Sequence, residues 1–263
     1  MSETTGPRSY TADRLLQVNG VRLHYADVGD GRPVILVHGN GEDHHLFTSE
    51  ITQLCGAGYR VLAPDSRGHG ANERLHVYHY ADMAEDMYRF IRALAPDKPL
   101  YYGHSDGGII GLLLEIMHPG TLGAMAVSGA NLSPEGILPG FIEECRAAVR
   151  ERPDPLISLM LNEPHIDPAE LEGIRIPVLV TAGENDLILR EETLRIARHL
   201  PHAELVIVKD ADHDSYIAGS EVMGTLLLSF FSSLENRGAM EDSGDSEGSG
   251  DSEDRKDRED GAK

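Results

Sequence analysis

The sequence predicts an α/β protein with a mostly parallel central sheet, helices on both faces and a short helical lid. Short segments that are apolar at nearly every position, as in strands buried on both faces of a parallel sheet, alternate with segments of helical spacing. Two strand-like segments near the start flank Asn19-Gly20, a pair typical of a tight hairpin turn. Residues 131–167 contain several prolines and a helical segment but no strand-like run, which predicts a helical excursion between two core strands.

The individual elements follow from these patterns. The predicted strands are Leu15–Val18, Val21–Val28, Val34–Val37, Arg60–Ala63, Leu100–Tyr102, Gly123–Val127, Val178–Ala182 and Leu205–Val208. The predicted helices are Tyr80–Ala95, Gly107–Met117, Glu191–Leu200 and Tyr216–Leu234, with Phe141–Arg150 inside the excursion. Because sites in mostly parallel sheets form at the carboxyl ends of the strands, the residues that directly follow these strands are the candidates for function.

The length of 263 residues fits one large domain rather than several small ones. We predict an α/β domain over residues 1–237, with a small cap at about 131–167, and a disordered acidic tail over residues 238–263. The tail contains no Leu, Ile, Val or aromatic residue, so it cannot bury enough apolar surface to offset the entropy cost of ordering. It is either a solubilising or partner-binding segment or a dispensable extension.

The amino-acid composition limits the kinds of molecule that we expect this protein to bind. A formal charge of −21, of which the tail carries −6, repels nucleic acid phosphates and anionic membrane surfaces, so we expect a small-molecule substrate and no nucleic acid partner. No apolar run approaches the roughly 20 residues that span a bilayer, and residues 1–16 lack the pattern of a signal peptide. With only Cys55 and Cys145, we expect reduced thiols and a cytoplasmic protein. The sequence indicates no oligomeric state.

The strongest local motif is Gly103-His104-Ser105-Asp106-Gly107. It follows a predicted strand and opens a predicted helix, the context in which the G-x-S-x-G pattern forms a tight turn that presents a nucleophilic serine. Gly103 and Gly107 are small enough to lie against such a turn, and the helix start directs free N–H groups toward a developing anion. A glycine-rich turn with an incidental serine is the alternative interpretation.

Three other strand ends also carry candidate residues. A buried strand runs into His38-Gly39-Asn40-Gly41, a glycine-rich loop that can offer a backbone N–H to an oxyanion. Asp186 lies just past another strand, where a carboxylate can orient an imidazole, and Glu184 is a weaker candidate because it lies nearer the strand. His213 follows the last strand. Each residue alone can be incidental, but a serine, a carboxylate and a histidine at strand ends are the components of a catalytic triad.

From about Leu15 to Leu234 the chain resembles the α/β-hydrolase superfamily, whose triad follows the order Ser105, Asp186, His213. The resemblance implies a serine hydrolase that cleaves a small-molecule carboxylic ester through an acyl-enzyme. Carbon–carbon bond hydrolysis and thioester hydrolysis remain open on the same triad, and a non-catalytic binding protein on the same fold is the alternative of another class. Epoxide hydrolases and haloalkane dehalogenases of the superfamily place Asp at the nucleophile position, so the serine argues against both activities.

The resemblance also implies an oxyanion hole formed by the backbone N–H groups of Asn40 and Asp106. The segment Asp65-Ser66-Arg67-Gly68-His69-Gly70 resembles a structural loop of the superfamily and is not assigned to catalysis. Two residues depart from the family pattern: Asp212 replaces the usual Gly before the histidine, and Asp106 follows the nucleophile where Met or Gln is common. The carboxylate of Asp106 either faces the helix N-terminus, which favours it, or captures the ammonium group of an aminoacyl ester.

Several histidines invite a metal interpretation, namely His44, His45, His69, His76 and His79. None has the spaced His/Glu pattern of a hydrolytic zinc helix, and cysteine is too sparse to help. We interpret them as solvent-facing loop residues and expect no metal and no cofactor.

Overall fold

The computed structural model describes residues 14–244, with side chains described through residue 235. Eight strands form one sheet in the order β1-β2-β4-β3-β5-β6-β7-β8. The strands are β1 (Arg14–Val18), β2 (Val21–Val28), β3 (Pro33–Val37), β4 (Arg60–Pro64), β5 (Leu100–His104), β6 (Ala124–Ser128), β7 (Val178–Gly183) and β8 (Ala203–Val208). All eight correspond to the predicted strands, which differ from the observed ones by at most two residues at either end.

Strand direction in the sheet follows the prediction. Strands β1 and β2 pair as an antiparallel hairpin, and β2 pairs antiparallel with β4. Every other neighbouring pair is parallel. In the hairpin turn Asn19 has φ 42° and Gly20 has φ 81°, the two left-handed conformations that a type I′ turn requires. The predicted fold class, a mostly parallel sheet with helices, is therefore confirmed.

Seven α-helices lie within the described residues. They are α1 (Thr48–Gly56), α2 (Tyr80–Leu94), α3 (Asp106–Met117), α4 (Pro139–Glu151), α5 (Pro155–Asn162), α6 (Arg190–His199) and α7 (Val222–Gly244). Short 3-10 helices span His44–Phe47, Pro134–Gly136 and Pro168–Gly173. Helices α1 and α5 were not predicted, because each is short and buries only two or three side chains.

The last helix differs from the prediction at both ends. It begins at Val222 rather than Tyr216, because the preceding turn contains Gly219 with φ +65°, a conformation that a right-handed helix excludes. It continues through Gly244, whereas the sequence predicts the tail from residue 238. The remainder of that predicted tail lies outside the described residues, and its disorder stays a prediction. Among the described helices, none combines the length and the apolar character needed to cross a membrane.

The core lies on both faces of the sheet. Along β3, Ile35 and Val37 pack into the cluster that includes α2 and α3, whereas Val34 and Leu36 pack into the cluster that includes α1 and α7. This alternation explains why the central strands are apolar at every position. Strand β8 lies at the edge of the sheet, and Leu205 is 39% exposed there, so the expectation that this strand is buried on both faces is wrong.

One carboxyl group lies in this core without a partner. Glu50 of α1 is fully buried, and neither of its carboxylate oxygens has a hydrogen-bond partner among the side chains and backbone groups of the other described residues. Burial raises the pKa of Glu50 to about 8. The folded protein therefore holds a proton on Glu50 near neutral pH.

Replacing this group should change how stability depends on pH. The unfolded chain releases the Glu50 proton above a pKa of about 4.3, whereas the folded protein retains it up to about pH 8, so stability is lost progressively as pH rises between these values. We expect Glu50→Gln to raise the Tm clearly at pH 8 and by much less at pH 5, in thermal melts followed by circular dichroism. The matched control is Glu144→Gln at an exposed site of α4. An equal gain at both pH values would contradict a buried protonated carboxyl.

Candidate active site

The turn between β5 and α3 holds Ser105 in a conformation that few residues adopt. Its backbone has φ 51° and ψ −115°, and such values cost energy for a residue other than glycine. The flanking glycines make the turn possible. A Cβ at Gly103 would collide with the backbone of Gly107, and a Cβ at Gly107 would collide with the carbonyl oxygen of Val37 on β3. The sequence signal of small residues on both sides of Ser105 thus has a direct steric cause.

Asp186 and His213 form a hydrogen-bonded pair beyond the ends of β7 and β8. The Nδ1–H of His213 donates to Oδ1 of Asp186 at 2.6 Å. The backbone N–H groups of Gly183 and Ile188 also donate to this carboxylate, each at 3.0 Å, and fix its orientation. Glu184, the weaker candidate, points elsewhere and accepts a hydrogen bond from the backbone N–H of Asp210.

The protonation of this pair reflects two opposing effects. Burial disfavours the charged imidazole, but the hydrogen bond and the charge of Asp186 outweigh it, so the pKa of His213 is raised above its ordinary value. Burial likewise raises the pKa of Asp186, but the hydrogen bonds from His213 and the backbone outweigh that effect and leave the pKa lowered. Asp186 is therefore an ionised acceptor that stabilises a positive charge on His213.

Ser105 and His213 face the same cavity, which has a volume of ≈ 210 Å³. Asn40 and Asp106 also line it, so four of the five predicted site residues meet there, with Asp186 behind His213. The remaining wall comes largely from the predicted cap and from the loop after β7. The apolar side chains in that wall are Ile137, Phe141, Met160, Leu187 and Ile188.

The loop after β3 lies directly against Ser105. A Cβ at Gly39 would lie 3.0 Å from Cβ of Ser105 and 2.7 Å from Oε2 of Glu42, so a larger residue would require these neighbours to move. The backbone N–H of Gly39 donates to Oε2 of Glu42 at 2.7 Å, which closes the loop on itself. The side chain of Asn40 donates through Nδ2 to Asp106 at 3.0 Å and to the carbonyl oxygen of Leu156 in α5 at 3.1 Å. This loop is therefore held against both Ser105 and helix α5.

The carboxylate of Asp106 is bonded on both oxygens. Tyr80 donates its hydroxyl to Oδ1 at 2.6 Å, and Asn40 donates to Oδ2 at 3.0 Å. Asp106 is only 4% exposed, and burial raises its pKa to about 6 despite these two hydrogen bonds. The sequence suggested a helix N-terminus or a substrate ammonium as the partner, whereas the structure shows Tyr80 and Asn40. No local motif identifies Tyr80, because it lies 26 residues away at the start of α2.

Among the other polar side chains at the cavity, none of which was predicted, His104, Glu42 and Asp214 lie close together. His104, within the serine motif, contacts Asp214 through Nε2 at an Nε2–Oδ1 distance of 3.0 Å. Glu42 lies 4.0 Å from the same Nε2 atom, measured to Oε2. Burial raises the pKa of Glu42 to about 7, even though it accepts a hydrogen bond from Gly39. Asp214 follows His213 directly in the sequence. That adjacency was the one sequence signal that could have placed Asp214 at the cavity.

Two of the other histidines contradict the expectation of solvent-facing loop residues. His44 and His69 are buried. Nδ1 of His44 lies 2.7 Å from Oδ1 of Asp65, and Nδ1 of His69 lies 3.1 Å from the carbonyl oxygen of Arg67. Both histidines pair with the loop that the sequence assigned to structure rather than catalysis, so they support its conformation.

Two groups of side chains in the described part of the chain place donor atoms close enough to share one metal ion. They are Asp43, His44 and His45, and His104, His213 and Asp214. The second group contains the histidine paired with Asp186 and borders the cavity.

Comparison with known proteins agrees with this architecture. A family model described as alpha/beta hydrolase fold matches residues 32–154. Epoxide hydrolase A of Mycobacterium tuberculosis is 30% identical over 166 residues, which cover 61% of this chain and 51% of that protein. The chain thus spans about half the length of this relative.

Solved structures extend the similarity over most of the chain. A thermophilic esterase from Thermogutta terrifontis superposes with a TM-score of 0.71 at 21% identity, covering 84% of this chain and 99% of that one. The meta-cleavage product hydrolase CumD from Pseudomonas fluorescens IP01 superposes with a TM-score of 0.71 at 22% identity. The match covers 84% of this chain and 98% of that one. The strand order, the serine turn and these similarities together show that the chain has the α/β-hydrolase fold.

Proposed function

We propose that this chain is a serine hydrolase that cleaves a small-molecule carboxylic ester, with Ser105 as nucleophile, His213 as general base and Asp186 as the orienting carboxylate. One observation carries the proposal. Ser105 lies at a strained turn and faces a cavity that it shares with His213, whose Nδ1 is bonded to Asp186. A nucleophile, a base and an orienting acid in one place are the components that acyl transfer requires.

The reaction follows from these positions. Because Nδ1 of His213 donates to Asp186, Nε2 is the nitrogen that takes the proton from the Ser105 hydroxyl. The serine oxygen attacks the ester carbonyl, and the backbone N–H groups of Asn40 and Asp106 stabilise the oxyanion. His213 returns the proton to the leaving alcohol, and water activated by the same histidine then hydrolyses the acyl-enzyme.

The likeness to epoxide hydrolase A raises a second candidate reaction. A carboxylate nucleophile would have to occupy the turn, and the turn holds Ser105. The adjacent carboxylate of Asp106 is bonded on both oxygens by Tyr80 and Asn40. These contacts favour the serine route over opening of an epoxide by Asp106.

The charges around the cavity favour neutral or cationic substrates. Four carboxyl groups line it, and none of the described lining residues is a lysine or an arginine. The four are Glu42, Asp106, Glu163 and Asp214. An anionic substrate would meet several like charges and no lysine or arginine among these lining residues. This argues for simple esters over carbon–carbon or thioester substrates that carry carboxylate or phosphate groups.

We also propose a cytoplasmic location and no nucleic acid partner. Both cysteines are unpaired in the structure, as expected for a reducing compartment. The formal charge of −21 opposes binding to phosphates.

Substitution of the three residues tests the proposed chemistry. Ser105→Ala, His213→Ala and Asp186→Asn should each retain the fold and lower kcat on p-nitrophenyl butyrate by several orders of magnitude, with strongly non-additive combinations. A fluorophosphonate probe should label wild type and not Ser105→Ala. The matched controls are Ser229→Ala on the exposed face of α7 and Glu184→Gln beside Asp186, and both should stay near wild-type kcat. Equal labelling of wild type and Ser105→Ala, or turnover of an aryl epoxide in place of esters, would refute the serine mechanism.

A second prediction concerns the carboxylate beside the nucleophile. Asp106→Ala leaves the Tyr80 hydroxyl without its acceptor and removes one of the two acceptors of the Asn40 amide, so kcat/KM should fall about 10–100-fold, the range for a hydrogen bond to a charged group. Asp106→Asn keeps one acceptor oxygen, so its kcat/KM should fall less than that of Asp106→Ala. Steady-state kinetics on α-amino esters and their des-amino analogues measure both effects. A preference for α-amino esters that Asp106→Asn erases through KM would show instead that a substrate ammonium binds this carboxylate.

A third prediction concerns substrate charge. The four carboxyl groups should make p-nitrophenyl butyrate a better substrate than the anionic mono-p-nitrophenyl succinate by about tenfold or more in kcat/KM, mainly through KM. Because salt screens such repulsion, raising ionic strength from about 0.05 M to about 0.5 M should narrow the difference. An unchanged ratio, or a preference for the succinate, would contradict electrostatic exclusion.

A further inference from the structure

Three metal-binding side chains converge at the edge of the cavity, on two different segments of the chain. His104 is the last residue of β5, directly before Ser105, whereas His213 and Asp214 belong to the loop after β8. One donor atom from each of the three lies within 4.8 Å of the other two. All three side chains line the cavity, so a small ion has access to them.

The spacing suits a single zinc ion. The ring centroids of His104 and His213 are 4.7 Å apart, close to the separation of about 5 Å expected for two imidazoles that share a tetrahedral ion at zinc–nitrogen distances of about 2.0–2.1 Å. Asp214 already reaches Nε2 of His104 at 3.0 Å, and its side chain is 56% exposed, so it has room to adjust. Oε2 of Glu42, 4.0 Å from the same nitrogen, offers an additional oxygen ligand.

The surroundings also resemble those of a zinc ligand. The Nδ1–H of His213 donates to Asp186, and a histidine that binds zinc through one nitrogen commonly donates the other to a carboxylate. This bond leaves Nε2 of His213 as the nitrogen that faces an ion. It is the same atom that takes the serine proton in the proposed reaction.

We propose that His104, His213 and Asp214 bind Zn²⁺ and that the bound ion inhibits the hydrolase reversibly. The inhibition rests on the proposed function, because it arises from occupation of the catalytic nitrogen of His213. The ion site itself rests only on the geometry. Mg²⁺ should not bind, since it prefers an octahedron of oxygen ligands.

The second cluster supplies a matched control. His45 is exposed, and its Nδ1 lies 2.9 Å from Oδ1 of Asp43. This cluster does not line the cavity. An ion bound there would leave the proposed chemistry untouched, so His45→Gln separates the two possible zinc sites.

Isothermal titration with ZnCl₂ tests the site without reference to activity. Wild type and the Ser105→Ala variant should bind Zn²⁺ equally well, because the serine is not a ligand. Asp214→Asn, which retains a hydrogen-bonding group beside His104, should weaken the Kd at least tenfold, and His213→Ala should abolish binding at this site. His45→Gln should leave the Kd for Zn²⁺ at this site unchanged. The proposal would be overturned if His45→Gln lost all zinc binding while Asp214→Asn bound zinc as tightly as wild type.

Inhibition is measured on p-nitrophenyl butyrate, each variant relative to its own activity in EDTA. Zn²⁺ should inhibit wild type and His45→Gln with the same Ki, EDTA should restore activity, and Mg²⁺ should have no effect. The Ki should rise at least tenfold in Asp214→Asn. An unchanged Ki in that variant would overturn the proposal. If Ser105→Ala and wild type bind zinc but wild type cleaves no ester, the ion site stands and the proposed function fails.

Discussion

The close approach of three backbone segments around Ser105 is the constraint on which the rest of the site depends. Gly107 of α3 touches the end of β3, Gly103 of β5 touches Gly107, and Gly39 lies against Ser105 itself. Larger residues at these positions would separate the loop after β3 from the serine turn. The sheet makes the approach possible, because β3 and β5 are parallel neighbours whose carboxyl ends meet at the same edge. The strain at Ser105 is therefore supported by the packing of two buried strands rather than by the turn alone.

Asp106 extends this arrangement from the turn to the cap. Its carboxylate joins Tyr80 of α2 to Asn40 of the loop after β3, and Asn40 also reaches the backbone of Leu156 in α5. At the other end of α5, Glu163 accepts a hydrogen bond from the backbone N–H of Tyr80. A buried carboxylate with no partner would be costly, whereas one with two donors fixes the segments that carry them. This explains how an acidic residue is accommodated beside Ser105: its charge is turned toward donors on neighbouring elements.

The sequence predicted the features that depend on local pattern. The strands, most of the helices, the hairpin turn and the order of serine, aspartate and histidine can all be read from short segments, because side chains at strand ends meet at one edge of a parallel sheet. Contacts between distant segments could not be predicted in this way. His104 and Asp214 lie 110 residues apart, and only the fold brings them together. The buried positions of His44 and His69 were missed for the same reason, since loop sequences carry no periodicity from which burial can be inferred.

The acidic surroundings of His213 serve two opposing requirements of the mechanism we propose. A general base must be neutral before it takes the serine proton, and the cation that then forms must be stabilised. Asp186, Asp214 and Glu42 favour the cation, whereas burial opposes it. The burial that raises the pKa of Glu42 to about 7 leaves part of that group uncharged near neutral pH, which limits how far the pKa of His213 rises. The same carboxyl groups that stabilise an imidazolium also attract a metal ion, so a site tuned for proton transfer at this position is, by its chemistry, a site that zinc can occupy.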